Sequence, residues 1–385
     1  MSELERLIQE HCPNGVKYVP LGSVCNIGKG VQFNKADMND EGTYPVINGG
    51  INPSGYIEQY NQVENTITIS QGGASAGYVN WLDVKFWAGA HCYVIKPKTN
   101  LLNRYAYHFI KSQEYKLQEC QYGAGIPALA KSTVEALNIP VPPIEVQGEI
   151  VRILDNFTEL TAELTAELTA RKKQYEYYRD TLLKSQQEMK TVKLGSVCEV
   201  YDGTHQTPKY TNSGVPFVSV ENIDDLYGTT KYISAEDYAK YKIKPQIGDV
   251  FMTRITAGII GKCAVVDRND DLAYYVSLAL LRPDPSVLDS KYLKYYLESG
   301  WGRKELAKRI LWDATPTKIN KDDIGKVYIA LPSLDVQQRL VHVLDNFDAM
   351  CTDLNVGLPA EIEARQKQYE YYRDKLLTFK ELIAN

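Results

Sequence analysis

The sequence predicts an α/β (α+β) protein in which two globular domains are separated by two long antiparallel coiled-coil helices, in a cyclic arrangement with a pseudo-two-fold axis. Three observations lead to this fold class. Long segments of the chain occur twice, each copy ends in a run with helical periodicity, and the stretches between the matching segments differ from each other. With 385 residues, the chain is long enough for two or three domains.

The matching segments stand at equivalent places in two copies of one plan. Three pairs are evident: LGSVC at 21–25 and 194–198, IPVPPIEVQGEIVRILDNF at 139–157 with IALPSLDVQQRLVHVLDNF at 329–347, and ARKKQYEYYRDTLL at 170–183 with ARQKQYEYYRDKLL at 364–377. Between them, Tyr18–Asn138 and Thr191–Tyr328 share little beyond their first residues. One scaffold therefore carries two different heads, which indicates two different recognition tasks.

The first dozen residues resemble the C-terminal part of a spacer helix and match the segment that precedes the second head. LERLIQEHCPNGVKYVPLGSVC precedes the first head, and YRDTLLKSQQEMKTVKLGSVC precedes the second. The organisation is therefore cyclic, and we expect the two termini to lie close together. The predicted domains are an N-terminal segment packing near the distal helix (1–18), the first head (19–143), a central spacer helix (144–190), the second head (191–332) and a distal spacer helix (333–385).

The two spacer helices are predicted from apolar residues that recur at steps of three and four over about 40 residues each, or about 60 Å of helix. An extra step of four interrupts the heptad spacing in the first helix, where TAEL repeats place one leucine on the seam in every unit. The second helix has one more, near Gly357 and Pro359, which we expect to kink or interrupt it. Such length favours a coiled coil over two helices buried in a larger core. The predicted seam includes Leu160, Leu164, Leu168, Leu354, Leu358 and Ile362.

Composition and missing motifs exclude several classes of protein. The net charge of −5 is unusual for a nucleic-acid binder, so positive charge must be local or supplied by a partner. The sequence has no apolar run long enough for a membrane span and no secretory signal at its start, and its seven scattered cysteines fit a reducing cytoplasm. It also lacks a Walker loop, HExxH, GxSxG and the Asn/Asp-Pro-Pro-aromatic motif of base methyltransferases. We therefore predict no catalytic centre, metal site or cofactor in this chain.

Polar loops in both heads contain candidate DNA-binding residues. Asn and Gln side chains can form paired hydrogen bonds with adenine, and Lys and Arg with guanine. Taken singly, each such residue is more simply explained by a solvated loop or a turn, but their clustering in glycine-rich loops favours binding. The candidates in the first head are Lys29, Gln32, Asn34, Lys35, Asn48, Asn52, Gln71, Ser75 and Lys131. Those in the second head are Thr204, His205, Gln206, Thr207, Lys209, Tyr210, Arg254, Lys262, Lys318 and Asn320.

The chain resembles, over essentially its whole length, the specificity (S) subunit of type I restriction–modification systems. The resemblance lies in the two unlike heads, in the run LDNF…TAEL…RKKQYEYYRD and in the second copy of that run. The resemblance implies two target-recognition domains, each reading one half of a bipartite double-stranded DNA site in the major groove, with the paired helices as a ruler between them. It also implies two modification subunits, which carry S-adenosylmethionine and methylate adenine, and restriction subunits as further partners. The identity of the base-contacting residues does not carry over, because the heads vary most within the family.

Two other functions are compatible with parts of the sequence. One is a coiled-coil scaffold whose heads bind proteins or glycans, and the other is a fused methyltransferase–nuclease, whose motifs the chain lacks. A DNA-recognition subunit is the leading interpretation. It predicts that DNA affinity depends on partner subunits, that the heads can be exchanged one at a time, and that the TAEL repeats set the spacing of the two half-sites.

Overall fold

The computed structural model describes residues 2–39, 41–123, 125–187, 190–353 and 356–382. The chain forms two compact units: residues 1–165 with 361–385 (unit 1), and residues 166–360 (unit 2). None of the described helices has a segment that is long and apolar enough to cross a membrane.

Unit 1 contains the first head and the beginning of the central spacer helix. Its elements in chain order are α1 (Glu3–His11), β1 (Tyr18–Pro20), α2 (Leu21–Val24), β2 (Cys25–Lys29), β3 (Tyr44–Ile47), β4 (Tyr56–Ile57), β5 (Thr66–Ser70), β6 (Val79–Leu82), β7 (Trp87–Ala88), β8 (Cys92–Pro97), α3 (Asn103–Ser112), α4 (Glu114–Glu119), α5 (Lys131–Glu135) and β9 (Asn138–Pro140). The central spacer helix is α6 (Ile144–Gln187), which continues into unit 2.

Unit 2 contains the second head. Its elements are β10 (Thr191–Lys193), β11 (Cys198–Asp202), β12 (Val215–Val218), β13 (Tyr232–Ile233), α7 (Ala235–Ala239), β14 (Val250–Thr253), β15 (Cys263–Val265), β16 (Ala273–Tyr274), β17 (Leu278–Pro283), α8 (Ser290–Glu298), α9 (Gly300–Ala307), α10 (Lys321–Ile324), β18 (Tyr328–Ala330) and α11 (Leu334–Thr352). The last helix, α12 (Leu358–Leu376), belongs mostly to unit 1.

The two heads have the same strand topology although their sequences differ. Unit 1 has a four-stranded antiparallel sheet in the order β2-β8-β5-β6, a three-stranded sheet β4-β3-β7 and a two-stranded sheet β1-β9. Unit 2 repeats this arrangement strand for strand, as β11-β17-β14-β15, β13-β12-β16 and β10-β18. Both three-stranded sheets contain one parallel pair, β3 with β7 and β12 with β16. The heads are therefore two versions of one fold, which their sequences do not reveal.

The central strands supply two apolar clusters at once, because successive side chains on a strand point to opposite faces. In β14 all four residues are buried. Val250 and Met252 share a cluster with residues of helices α8, α9 and α11, while Phe251 packs into a second cluster with Tyr274 and Leu280. Strand β5 of unit 1 is likewise buried along its whole length.

The central spacer helix α6 is continuous over 44 residues, as its periodicity predicts. It begins after Pro142 and Pro143, with Glu145 in the first turn, where a negative charge favours the helix dipole. In unit 1 its Phe157 stacks on Tyr372 of α12, with ring centroids 5.5 Å apart. In unit 2 its Tyr178 packs on Phe347 of α11 at 5.8 Å.

The pairing of α6 with α11 is antiparallel. Tyr178 contacts Phe347. Burial, and after it Asp348, raises the pKa of Tyr175. Burial raises the pKa of the Cys351 thiol, and the charge of Lys172 opposes this rise. Residue numbers thus fall along α6 while they rise along α11. The seam residues Leu160, Leu164, Leu168, Leu358 and Ile362 are partly buried, and Leu354 lies outside the described residues.

The distal spacer is two helices rather than one helix of about 40 residues. Helices α11 and α12 have 19 residues each, and Val356 and Gly357 lie between them. A Cβ on Gly357 would lie 2.7 Å from the backbone oxygens of both Ala349 and Asp353, so this turn requires glycine. The interruption expected at Gly357 and Pro359 is therefore present, and it separates the helices completely.

The two ends of the chain meet in unit 1, as the cyclic organisation predicts. The amide of Val16 donates to the carbonyl oxygen of Lys380 at 2.8 Å, and the amide of Leu382 donates to that of Val16 at 2.9 Å. Helix α1 starts with a capping box formed by Ser2 and Glu5, and its Leu4 is buried in the core of unit 1.

Candidate nucleic-acid interface

In unit 1, three strand ends meet at one edge of the four-stranded sheet because the strands are antiparallel. The end of β2 and the end of β5 both lie beside the start of β8, since Lys29 pairs with Tyr93 and Ser70 with Cys92. The next residue, Gln71, donates its amide to the carbonyl oxygen of His91 at 2.8 Å. This edge therefore brings together Lys29 and Gln71, which are 42 positions apart in the sequence.

The turn after β3 packs against the same edge. The side-chain oxygen of Asn48 accepts a hydrogen bond from the amide of His91 at 2.9 Å. A Cβ on Gly49 would lie 2.5 Å from the carbonyl oxygen of Gly72, so the turn and the edge are in close contact. Asn52, further along this turn, is exposed.

The loop after β2 is held in place from its base. The amide of Val31 donates to the carbonyl oxygen of Ala88 at 2.8 Å, and the indole of Trp87 donates to that of Val31 at 3.0 Å. The ring of Phe33 packs edgewise on Trp87 at 5.3 Å. The exposed side chains of Gln32, Asn34 and Lys35 are thus presented on an anchored loop.

The remaining two candidates of the first head lie in segments linked to this edge. Ser75 belongs to the turn between β5 and β6. Lys131 begins α5, next to a segment in which Leu129 donates its amide to the carbonyl oxygen of Gln71 at 2.7 Å. Its ammonium group is 3.1 Å from Glu135, so part of its charge is compensated.

Sequence reasoning missed His91, which is exposed and whose backbone contacts both Gln71 and Asn48. A lone histidine in a glycine-containing loop gives little signal by itself. It also missed the exposed apolar side chains of Val31, Ile51 and Ile126 on neighbouring loops. Apolar groups of this kind can contact the methyl group of thymine.

Unit 2 forms the equivalent edge with different chemistry. The amide of Arg254, directly after β14, donates to the carbonyl oxygen of Ser277 at 2.9 Å, as Gln71 does to His91 in unit 1. The side chain of Arg254 is only 7% exposed, forms an ion pair with Asp202 at the end of β11, and donates from Nε to the carbonyl oxygen of Ile319 at 3.2 Å. Arg254 is therefore committed to contacts inside the head instead of being displayed at its surface.

The loop after β11 displays a group of candidates instead. Thr204 is fixed by backbone hydrogen bonds to Tyr274 and Val276. Beyond it, His205, Gln206, Thr207, Lys209 and Tyr210 are exposed. The imidazole Nε2 of His205 lies 3.8 Å from Asp202, and Tyr210 packs edgewise on Phe217 at 5.7 Å.

The last three candidates of the second head are partly engaged. Lys262 forms an ion pair with Asp224 at 2.6 Å, and the side-chain nitrogen of Asn320 donates to Asp323 at 3.2 Å. Lys318 is half-buried, and its backbone bridges to both Ile255 and Leu311. Sequence reasoning missed Trp312, which lies between these bridged segments and is 64% exposed. Tryptophan is enriched at interfaces because it combines a large apolar ring with a polar N–H, so its place in this polar loop is a signal that the sequence offered.

Fold and site together define a two-headed recognition protein, with one polar edge on each head and paired helices in each unit. The chain belongs to the type I restriction–modification specificity family, since the family's sequence model, described as the type I restriction modification DNA specificity domain, matches residues 13–171 and again 186–364. Each match covers one head, so the scaffold interpretation with protein- or glycan-binding heads is not favoured.

Relatives and solved structures agree with this assignment. The chain is 32% identical over 394 residues to a protein assigned as a type I restriction enzyme specificity subunit in Haemophilus influenzae, with 98% of each chain covered. It is 28% identical to the EcoR124I/EcoR124II specificity subunit of Escherichia coli, over 98% of this chain and 97% of that one. The crystal structure of the S subunit from M. genitalium superimposes with a TM-score of 0.58 at 19% identity, covering 94% of this chain and 96% of that one, and thus shares the fold.

Proposed function

We propose that this chain is the DNA-recognition subunit of a type I restriction–modification complex, in which each head reads one half of a bipartite DNA site. The observation that carries the proposal is the presence of two heads with one topology and different polar edges, each matched by the specificity-domain model. Different side chains on equivalent edges are what two different half-sites require.

The anchored loops favour direct reading of bases in the major groove. Their backbones are fixed by hydrogen bonds to the sheet, so less conformational entropy is lost when the exposed side chains bind. One well-placed pair of hydrogen bonds to a base contributes about 1–3 kcal/mol of discrimination. In the first head we expect the strongest contribution from Lys29, Gln32 and Gln71, and in the second from Gln206 and Thr207. We assign Arg254 a positioning role, because it is buried against Asp202.

The spacer helices offer a repeated surface for two copies of one partner. Tyr177 on α6 and Tyr371 on α12 occupy equivalent places in the KQYEYYRD repeat and are 67% and 62% exposed. Each packs edgewise against the following tyrosine, at 5.7 Å and 5.3 Å. Exposed, pre-oriented tyrosines are typical anchors of protein interfaces. We infer that each surface binds one modification subunit.

In this proposal the chain itself is not catalytic. The modification subunits bind S-adenosylmethionine and methylate adenine, the restriction subunits join the full complex, and the assembly works in the cytoplasm. The net charge of −5 supports a shared DNA interface, because the chain has little overall attraction for a polyanion.

The test is to reconstitute the chain with its modification subunit and map adenine methylation on a pool of random duplexes. We expect one bipartite motif with an unspecified spacer. Exchanging residues 19–143 for the first head of a relative should change one half of this motif and leave the other intact. Methylation without a motif, or a change in both halves, contradicts the proposal.

A further inference from the structure

A cleft of about 630 Å³ lies in unit 2 beside the loop that displays the candidate base-reading residues. One wall is this loop, from Thr204 to Lys209, and the opposite wall is the segment from Lys240 to Ile243. Tyr201 and Tyr274 contribute to its lining. The cleft is therefore within one side-chain length of residues proposed to contact bases.

The cleft has an excess of positive charge. Its two acidic residues already have cationic partners, since Asp237 is 2.7 Å from Lys240 and Asp202 pairs with Arg254. Three further lysines line the cleft: Lys209, Lys242 and Lys321. Among the residues that the structure describes, these three form no ion pair within 4.0 Å.

A second observation points to a ligand with oxygen acceptors. Tyr274 is only 1% exposed, and its hydroxyl has no hydrogen-bond partner in the described part of the chain. Buried hydroxyls are nearly always paired, and Tyr274 is among the residues that line the cleft, so a small movement of its side chain gives this hydroxyl a partner on a bound group. Phosphate oxygens accept hydrogen bonds from both hydroxyl and ammonium groups.

We propose that this cleft binds backbone phosphates of the DNA strand that the second head reads. The inference rests on the proposed function and specifies how the second head is positioned. Contacts to phosphates carry no sequence information but fix the register of a protein on the duplex. Lys209, Lys242 and Lys321 hold the strand, and Gln206 and Thr207 of the adjoining loop are thereby placed against the base edges.

The experiment measures the salt dependence of DNA binding by the full chain assembled with its modification subunits. The slope of log K against log salt is negative, and each phosphate contact that is lost reduces its magnitude by about 0.9 on duplex DNA. The single variants Lys209→Gln, Lys242→Gln and Lys321→Gln should each reduce this magnitude by about that amount, and the triple variant by about 2.7, with the recognised motif unchanged. Lys184→Gln and Lys304→Gln change the same charge at exposed positions of unit 2 that do not line the cleft, and should leave the slope unchanged.

The outcomes separate this inference from the proposed function. If the parent complex binds its motif and the triple variant has the same slope, the cleft does not bind DNA phosphates and only this inference is overturned. The same holds if inorganic phosphate occupies the cleft while the slope of the triple variant is that of the parent, which indicates a site for small anions. If the parent complex binds no DNA in a sequence-dependent way, the proposed function is overturned as well. Thermal unfolding of each variant verifies that it is folded.

Discussion

The joints between head and spacer helix in the two units show which contacts are kept and which are changed. In unit 1, Gln147 in the first turn of α6 is fully buried. It accepts from the amide of Leu102 at 2.8 Å and donates to the carbonyl oxygens of Asn100 and Pro142 at 2.9 and 2.7 Å.

In unit 2, Gln337 makes the same three hydrogen bonds. It accepts from Asp289 at 2.8 Å and donates to Val287 and Pro332 at 2.9 and 2.8 Å. The agreement within 0.1 Å shows that both units use the same joint.

Two turns further along each spacer helix, the joints differ. Asp155 of unit 1 accepts from Arg104 at 2.7 Å and from the imidazole of His108 at 2.8 Å. The equivalent Asp345 of unit 2 accepts from Lys291 at 2.7 Å and from the hydroxyl of Tyr295 at 2.6 Å. The difference teaches that the position of the carboxylate and the spacing of its two donors are retained while the donor chemistry varies.

The largest effect is expected from breaking the common joint. Gln147→Ala or Gln337→Ala removes the partner of one amide and two carbonyl groups, of which the proline carbonyl is buried, and should destabilise the affected unit by about 2–4 kcal/mol. Hydrogen exchange of the amides of Leu102 and Asp289, measured at increasing denaturant concentration, gives the loss of unfolding free energy in each unit. Gln147→Glu retains the acceptor but not the donors, and should fall between the parent and Gln147→Ala. Unequal losses from the two alanine variants would contradict the equivalence of the joints.

A second test uses the difference between the two spacers, of which only α6 is unbroken. Inserting TAEL after Leu168 lengthens α6 by about 6 Å and rotates the residues that follow by about 40°. One base pair of B-DNA turns by about 34–36°, so the rotation matches one base pair. We predict that both half-sites are kept and the unspecified spacer widens by one base pair, while deletion of Thr165–Leu168 narrows it by one.

Adenine-methylation mapping in cells that carry each variant measures the spacer. Ala166→Gln changes the same repeat without changing its length, and should leave the spacer as it is. An unchanged spacer after the insertion, or altered bases within a half-site, would show that the TAEL repeat is not the ruler.

The equivalent surfaces on the spacers give the next prediction. Tyr177→Ala and Tyr371→Ala should each weaken the binding of one modification subunit by about 2 kcal/mol, as expected for an exposed aromatic anchor. Titration of the chain with modification subunit by calorimetry should then show one strong and one weak site in each single variant. Tyr177→Phe retains the ring and serves as the control. Two unchanged sites in both alanine variants would mean that the partner binds elsewhere.

The smallest effect is expected from His108, the one donor of the two joints whose ordinary pKa lies near neutral pH. Burial lowers the pKa of His108 below its usual range, although the hydrogen bond to Asp155 opposes this. The ring is therefore neutral near pH 7. Because a carboxylate only accepts, Nε2 carries the proton toward Asp155, and Nδ1 accepts from the hydroxyl of Tyr369 at 3.2 Å.

The sign of the pH dependence follows from this lowered pKa. The unfolded chain binds a proton at His108 at a higher pH than the folded chain does, so unit 1 loses stability as the pH falls below about 6.5. His108→Tyr copies the donor of unit 2, where burial raises the pKa of Tyr295, and should remove this contribution. Thermal melts of parent and variant between pH 7.5 and 5.5 measure it. A variant whose melting temperature falls with pH as steeply as the parent's would contradict the prediction.

The features that the sequence predicted are those encoded by local periodicity or by duplication. Helix α6 follows from its apolar spacing, and the break before α12 follows from Gly357 and Pro359. The common topology of the heads could not be predicted, because it depends on pairs such as Val46 with Trp87 that join short strands across long stretches of chain. The sequence also suggested that Arg254 is displayed at the surface for DNA binding. Its partner Asp202 lies 52 positions earlier, so the ion pair between them could not be predicted from local sequence. Which of the other candidates contact bases stays a prediction.

The meeting of the two chain ends in unit 1 has a consequence for the order in which the protein is made. Unit 2 is continuous in sequence and can close when residue 360 has left the ribosome, whereas unit 1 needs residues 361–385. At about 5–20 residues per second, the head that is synthesised first waits the longest for its remaining contacts. Until then, Leu4 and Val16 lack part of the core that buries them. A ribosome that stops between residues 361 and 377 therefore leaves unit 1 without part of its contacts, whereas all of unit 2 has been synthesised.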